Sequence, residues 1–306
     1  MTIRPGVDVN RPNPGTNINE TPNDNMGCNM STESHNAPDF QGRPFFGYDS
    51  DDVQTTYSGR QAESVADFLL PHLSPGMSLL DVGCGPGSIT LGLGAAVSPG
   101  KAVGVDLEPG MIEQAKVIAA ESDVTNVEFE VADIYDLPYE DGHFDVVFTS
   151  AVIEHLSDPV GALRSLRRVL KPGGLAAIIR TDWGDPFIVP QSDSLSRFLE
   201  LFEAGFNRNG GSLNRGRYLR AHMQEAGFDI LEFAADISNY IGSGGVSGVI
   251  NGYIAWMENL PLFRESIDLG LTTEAELRSL KNGMKTWSAN PDAYFANART
   301  YAIGRK

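Results

Sequence analysis

The chain has 306 residues, 41% of them apolar, enough for one large α/β domain with insertions or for two small domains. Its formal net charge of −17 would repel a phosphate backbone or an anionic membrane surface, which argues against nucleic acid or lipid as a partner. No apolar run reaches the ~18 residues of a membrane span, the N-terminus lacks the pattern of a secretory signal, and Cys28 and Cys84 stand at neither metal nor disulfide spacing; a soluble cytoplasmic protein is expected.

Residues 1–44 are rich in Asn and Pro and poor in large apolar side chains, so a disordered or loosely ordered tail is expected there, ahead of a folded domain over residues 45–306. Ala62, Val65, Phe68 and Leu69 fall at helical spacing between Gly59 and His72. Leu79 to Val82 reads as a short buried strand running into Gly83-Cys84-Gly85-Pro86-Gly87 and then a helix from Ser88 to about Val97. Ala102 to Asp106 is a second strand, and Pro109 suits a helix start with Met111, Ile112, Ala115 and Ile118 on one face. Val127 to Val131 alternates in period two, and Phe144 to Phe148 is the next strand.

Asp158-Pro159 opens a helix carrying Val160, Leu163, Leu166 and Leu170, whose basic end, Arg164, Arg167 and Arg168, complements the helix C-terminus. Lys171-Pro172-Gly173-Gly174 stops it before an uninterrupted apolar strand, Leu175 to Ile179. Alternation through five strands implies a mostly parallel sheet covered on both faces, with ligands at the carboxyl ends of the strands.

After Arg180 the regularity lapses. Residues 182–211 read as a loop and helix inserted at the carboxyl edge, Arg217 to Ala226 as a helix, and Phe228 to Phe233 as a strand. A longer insertion, 237–297, holds the flexible Gly242-Ser243-Gly244-Gly245 and a helix capped by Thr273 with Glu276 three residues on. The last strand is expected over Arg299 to Gly304. Substrate selection is assigned to these insertions, where Trp183, Phe187, Phe202, Phe206, Tyr240, Tyr253, Trp256 and Trp287 supply apolar surface.

Gly83, Gly85 and Gly87 let a nucleotide-like ligand approach the backbone without meeting a Cβ, and Asp106 is placed to accept from two ribose hydroxyls. The Gly-x-Gly-x-Gly spacing departs from the Gly-x-Gly-x-x-Gly of dinucleotide sites; a dehydrogenase, a non-catalytic nucleotide binder and an S-adenosylmethionine enzyme compete for the turn. Asp106, Ala132-Asp133-Ile134 and the run Ser150 to Leu156 each follow a successive strand and line one edge of the sheet. Asp81 is read as bonding backbone amides of the loop.

Leu80-Asp81-Val82-Gly83-Cys84-Gly85-Pro86-Gly87, Val105-Asp106, Ala132-Asp133, Phe144-Asp145-Val146-Val147, Glu154-His155-Leu156 and Leu170-Lys171-Pro172-Gly173-Gly174 together resemble the motif series of class I S-adenosylmethionine-dependent methyltransferases, in the branch typified by ubiquinone and menaquinone biosynthesis. The resemblance covers about residues 47–180. It implies a Rossmann-like, doubly wound, seven-stranded sheet, mostly parallel with an antiparallel last strand, and helical insertions over the active site. It further implies that Gly83 and Gly85 pass beside the methionine part of the cofactor, with Cys84 and Gly87 in the same turn, and that Asp106 takes the ribose hydroxyls. Leu107 and Met111 would touch the adenine, Asp133 would accept from its amino group, and Ala132 and Ile134 would lie at the ring. Ser150, Ala151 and His155 would stand near the methyl end, and Tyr48 and Tyr57 either fold over the cofactor carboxylate or pack in the core.

No Asn/Asp-Pro-Pro-Tyr run follows the fourth strand and no metal-ligand cluster is evident, so the expected acceptor is a small organic molecule methylated at O, N or C without a metal. His155 is the candidate base or orienting residue, against the alternative that it merely shapes the pocket. Two rivals stay open: a binding or regulatory protein that holds the cofactor without turnover, and a methyltransferase acting on protein or nucleic acid.

Overall fold

The computed structural model describes residues 60–306; the expected tail, Tyr48 and Tyr57 lie outside the described residues. Strands β1 (Leu79–Val82), β2 (Ala102–Asp106), β3 (Val127–Val131), β4 (Phe144–Ser150), β5 (Leu170–Val189), β6 (Asp229–Ile241) and β7 (Tyr294–Arg305) form one sheet in the order β3-β2-β1-β4-β5-β7-β6. The pairs from β3 across to β5 are parallel, and β7 runs antiparallel to both β5 and β6. This is the doubly wound, mostly parallel sheet that the resemblance implies, with the last strand alone reversed.

The helices are α1 (Ala62–Val65), α2 (Ser88–Val97), α3 (Pro109–Ala120), α4 (Pro159–Val169), α5 (Asp193–Arg208), α6 (Arg215–Glu225), α7 (Gly242–Asn259), α8 (Pro261–Asp268) and α9 (Glu274–Ser288). Successive residues of the central strands point to opposite faces, and both faces are covered, so β1 and β2 are buried throughout. Leu79, Val146, Phe148 and Ile179 pack with Leu93 and Val97 of α2, while Leu80, Val147 and Ile178 pack with Leu163 and Leu166 of α4 and Leu219 of α6. Asp158 caps α4 by accepting from the Gly161 N–H at 2.8 Å, and Thr273 caps α9 by accepting from the Glu276 N–H at 3.1 Å. Arg168 spends its guanidinium on the Leu137 and Tyr139 carbonyls, so the basic end of α4 ties loops together. Among the described residues no helix is long and apolar enough to cross a membrane.

Several elements depart from expectation. The helix expected over Gly59 to His72 divides into α1 and a 3-10 turn at Leu70–His72, where Pro71 lacks the N–H that a continuing helix needs. Strands β5, β6 and β7 run far past the expected ends because β7 offers a partner along its whole length, pairing Tyr294 with both Val189 and Ile241. Pro186 falls in the irregularity between Asp182 and Phe187, where no ladder hydrogen bond is lost to it. The glycine-rich segment at Gly242 is the first turn of α7, held helical by Val246, Ile250, Tyr253, Ile254 and Met257 on one buried face.

Helices α5, α7, α8 and α9 enclose a separate apolar core with Phe295 of β7. Phe198 sits at its centre, fully buried, with rings of Phe202, Tyr253 and Phe263 at 5.7, 5.0 and 5.7 Å. Phe198→Ala is expected to cost about 3–5 kcal/mol, read in a thermal melt as a midpoint lower by on the order of 10 °C.

Candidate active site

At the end of β1 the chain turns through Gly83, Gly85 and Gly87 at φ of +74, +53 and +81°, the left-handed region that other residues enter at a cost. The three glycines serve different ends. A Cβ on Gly83 would lie 2.1 Å from Val152 Cγ2, and one on Gly87 would lie 2.6 Å from the Phe129 ring. A Cβ on Gly85 would meet nothing within 4 Å. Two of the glycines therefore let the loop pack, and the third faces open space.

Asp106 closes β2 and is buried, its Oδ2 accepting from the Gly85 N–H at 2.9 Å and its Oδ1 from the Glu108 N–H at 3.1 Å. Burial raises its pKa, and these backbone donors oppose the rise. A carboxylate has about four lone-pair sites, so acceptor capacity remains for a diol. The Ala132 N–H donates to the Asp106 carbonyl at 3.1 Å, which ties the end of β3 to the end of β2. Around this junction Met111 and Ile134 are buried, whereas Leu107 is 58% exposed and Asp133 is exposed, accepting from the Tyr135 N–H. An apolar side chain left in water beside a diol-competent carboxylate suits a heterocycle.

The other end of the cleft brings the turn and the end of β4 together. Gly83, Cys84, Gly85, Ser150 and Ala151 line it, as the sequence predicts, with Arg60, Asp81, Phe148 and Val152 beside them. Arg60 donates to the Ser150 hydroxyl at 2.8 Å. Asp81 does not bond the loop amides as expected: its Oδ2 accepts from the Thr90 hydroxyl at 2.6 Å. Its pKa is pushed up to about 7 by burial first; the Thr90 hydrogen bond opposes this, Asp106 adds to it, and the Arg60 charge opposes it. Ala151 holds φ at +57°, a non-glycine strain tolerated because its N–H is fixed to the Ile179 carbonyl. Sequence reasoning missed Arg60 and misread Asp81. The signal was position: Asp81 stands at the carboxyl end of β1, two residues before Gly83, and both line the same cleft.

Gly87 starts α2 away from the lining, and His155 stands apart from it as well, on a 3-10 turn at Ile153–His155 with its ring 4.8 Å from that of Phe206. Burial, and after it the Arg180 guanidinium, hold the His155 imidazolium well below its usual pKa, so the ring is neutral at neutral pH. Glu154 and Arg180 form a buried ion pair at 3.9 Å behind it. The loop after α5 rests on the same turn, with the Ser212 N–H donating to the Glu154 carbonyl at 2.7 Å.

Three features decide which ligand fits: open space over Gly85, a diol acceptor with an exposed apolar neighbour at Asp106, and an acid–cation couple of Asp81 and Arg60 matching a zwitterionic amino acid. At the carboxyl edge of a doubly wound α/β sheet, together they suit a nucleoside carrying an amino-acid arm. The comparisons agree. The methyltransferase domain family matches residues 73–232. The chain is 32% identical to probable methyltransferase ltbC of Aspergillus luteorubrus over 277 residues, 82% of this chain and 92% of that protein. It is 39% identical to demethylmenaquinone methyltransferase of Lactococcus lactis over 107 residues, 35% of this chain and 42% of that protein. Among solved structures, the YcgJ protein of Bacillus subtilis shares the fold with a TM-score of 0.53 and 19% identity, over 78% of this chain and 97% of that one. The chain belongs to the methyltransferase domain family and is an S-adenosylmethionine-dependent methyltransferase.

Proposed function

We propose that the chain methylates a small organic acceptor by in-line displacement, with the acceptor held between the carboxyl end of β4 and a cap built from residues 182–211 and 237–297. The observation that carries this reading is the cap itself, whose α5 end and following loop sit directly on the turn bearing His155. An acidic chain with an aromatic cap suits a small apolar molecule better than a phosphate backbone.

Bound in the cleft, S-adenosylmethionine supplies a methyl group activated by its sulfonium. The chain's own residues then have four tasks. Gly83, Cys84, Gly85, Ser150 and Ala151 shape the wall at the amino-acid arm, with Gly87 starting the helix behind it. Arg60 faces the carboxylate and ionised Asp81 faces the ammonium. Asp106 accepts from the ribose hydroxyls, while Leu107, Met111, Ala132, Asp133 and Ile134 frame the adenine. His155, neutral and beside the cap, takes the proton of a hydroxyl acceptor or orients it. Most of the barrier reduction comes from alignment and from excluding water.

Calorimetric titration with S-adenosylhomocysteine tests the cofactor half: one saturable site per chain is expected, and no binding would remove the reading. Two further results are expected from the same titration. Gly85→Ala places a methyl group in the open space and strains φ by roughly 1–2 kcal/mol; affinity falls at least about tenfold while the melting midpoint falls by only a few degrees. Gly83→Ala, whose Cβ meets Val152, instead lowers the midpoint markedly. Loss of affinity in neither variant contradicts the placement of the amino-acid arm.

The pH dependence follows from Asp81. Its folded pKa near 7 lies above its ordinary value of 3.8, so the stability it contributes to the free protein is full below about pH 4 and is lost as pH rises through 7. Binding of the ammonium runs the other way, since only ionised Asp81 attracts it. Affinity for S-adenosylhomocysteine is expected to rise between about pH 6 and 7.5, and Asp81→Asn should flatten that rise. An unchanged slope in the variant contradicts the role.

A further inference from the structure

The cap carries a polar atom that its own core does not explain. Tyr253 of α7 is 2% exposed, and among the described residues its hydroxyl has no hydrogen-bond partner; the rings packed on it are Phe198 at 5.0 Å, Trp256 at 5.3 Å, Trp183 at 5.7 Å and Phe295 at 5.8 Å between centroids. A phenylalanine would fill the same space without the desolvation cost, so the oxygen is a candidate for ligand contact. Burial raises the Tyr253 pKa well above its usual value, which keeps the hydroxyl protonated and able to donate.

The rings form a continuous path from this hydroxyl to the active site. His155 lies 4.8 Å from Phe206, Phe206 lies 4.9 Å from Phe202, and Phe202 lies 5.4 Å from Trp256 and 6.0 Å from Trp183. Along this path Phe202, Phe206 and Tyr253 are buried, while His155, Trp183 and Trp256 are only half-buried. The two indoles are thus the members with surface to spare, and they offer flat faces. Aromatic walls also hold cations, but the charges beside His155 argue against one. Arg180 is fully buried there in its pair with Glu154, and Arg215 bonds the Leu156 and Gly210 carbonyls rather than a carboxylate.

We infer that the acceptor is a planar, oxygenated aromatic molecule, neutral or anionic, seated against Trp183 and Trp256 between His155 and the Tyr253 hydroxyl, which donates to a ring oxygen. This rests on the proposed placement of the acceptor under the cap.

The test is equilibrium dialysis of the full chain saturated with S-adenosylhomocysteine, using 1-naphthol, naphthalene, decahydro-1-naphthol and the cationic 1-naphthylmethylamine as probes. 1-Naphthol is expected to bind about three- to tenfold tighter than naphthalene and than decahydro-1-naphthol, with the amine weaker than both uncharged aromatic probes. Tyr253→Phe should abolish the preference for 1-naphthol over naphthalene and leave the melting midpoint unchanged or raised, since no structural hydrogen bond is lost. A preference that survives Tyr253→Phe, an amine that binds best, a lowered midpoint, or no saturable binding of either aromatic probe overturns the inference. S-Adenosylhomocysteine affinity measured on the same samples separates the two readings: its absence removes the cofactor site, whereas its presence with indiscriminate probes removes only the acceptor assignment.

Discussion

Asp106→Ala is expected to lower the affinity for S-adenosylhomocysteine by between about 10²- and 10⁴-fold in a calorimetric titration. The variant removes both acceptors proposed for the ribose hydroxyls, each charge-assisted hydrogen bond being worth about 1.5–3 kcal/mol. It also frees the Gly85 and Glu108 N–H groups that the carboxylate holds at 2.9 and 3.1 Å, so the open face of the turn is no longer pinned to β2. Asp106→Asn keeps a carbonyl acceptor but not the charge, and its affinity should fall between those of wild type and the alanine variant. Equal affinity in wild type and Asp106→Ala contradicts the ribose assignment.

The second large effect is on turnover. His155→Ala is expected to lower kcat by about 10²-fold at saturating cofactor, the low end of what a positioned base contributes, without changing the affinity for S-adenosylhomocysteine. Burial and Arg180 hold the ring neutral at neutral pH, so the base is present from below its usual pKa of 6.5 upward and the rate should not fall as pH rises from there. Being a weak base, it suits an acceptor whose proton leaves as the bond to carbon forms. His155→Gln keeps a hydrogen-bonding group of similar reach; recovery of most of the rate in that variant assigns an orienting role, and no recovery assigns proton transfer. Unchanged turnover in His155→Ala removes both.

Where the chain's local signals agree with its tertiary surroundings, the fold was legible from residues alone. Capping by Asp158 and Thr273, the glycine turn after Val82 and the strand–helix rhythm up to Ile179, interrupted where β3 passes to β4 with no helix between them, are set by neighbours in sequence. The strands beyond Arg180 were not, because their length depends on a partner more than a hundred residues away: Val189 is a strand residue because Tyr294 pairs with it. Gly242-Ser243-Gly244-Gly245 reads as flexible on propensity, yet the apolar face from Val246 to Met257 commits the segment to a helix. Tertiary burial outweighed propensity there.

The site divides in the same way. Gly85 and Asp106 carry motif spacing, as does the run from Ser150, and the structure brings Gly85, Ser150 and Ala151 into one cleft with Asp106 bonded to the Gly85 N–H. Arg60 lies 90 residues from the Ser150 hydroxyl it bonds, and no local pattern marks it. Asp81 was visible but misjudged, since its pKa near 7 arises from burial, which a sequence does not display directly. Tyr253 stands among the cap aromatics in the sequence, but that its hydroxyl lacks a partner among the described residues follows only from the packing of Phe198, Trp183 and Trp256 around it.

The account turns on where the methyl group goes. Incubating the protein and methyl-labelled S-adenosylmethionine with a cell extract, then separating small molecules from protein and nucleic acid, tests it most directly. Label in the low-mass fraction, lost in Asp106→Ala, is the expected result. Label retained only in protein or nucleic acid, or a protein that binds the cofactor and transfers no label, contradicts the account.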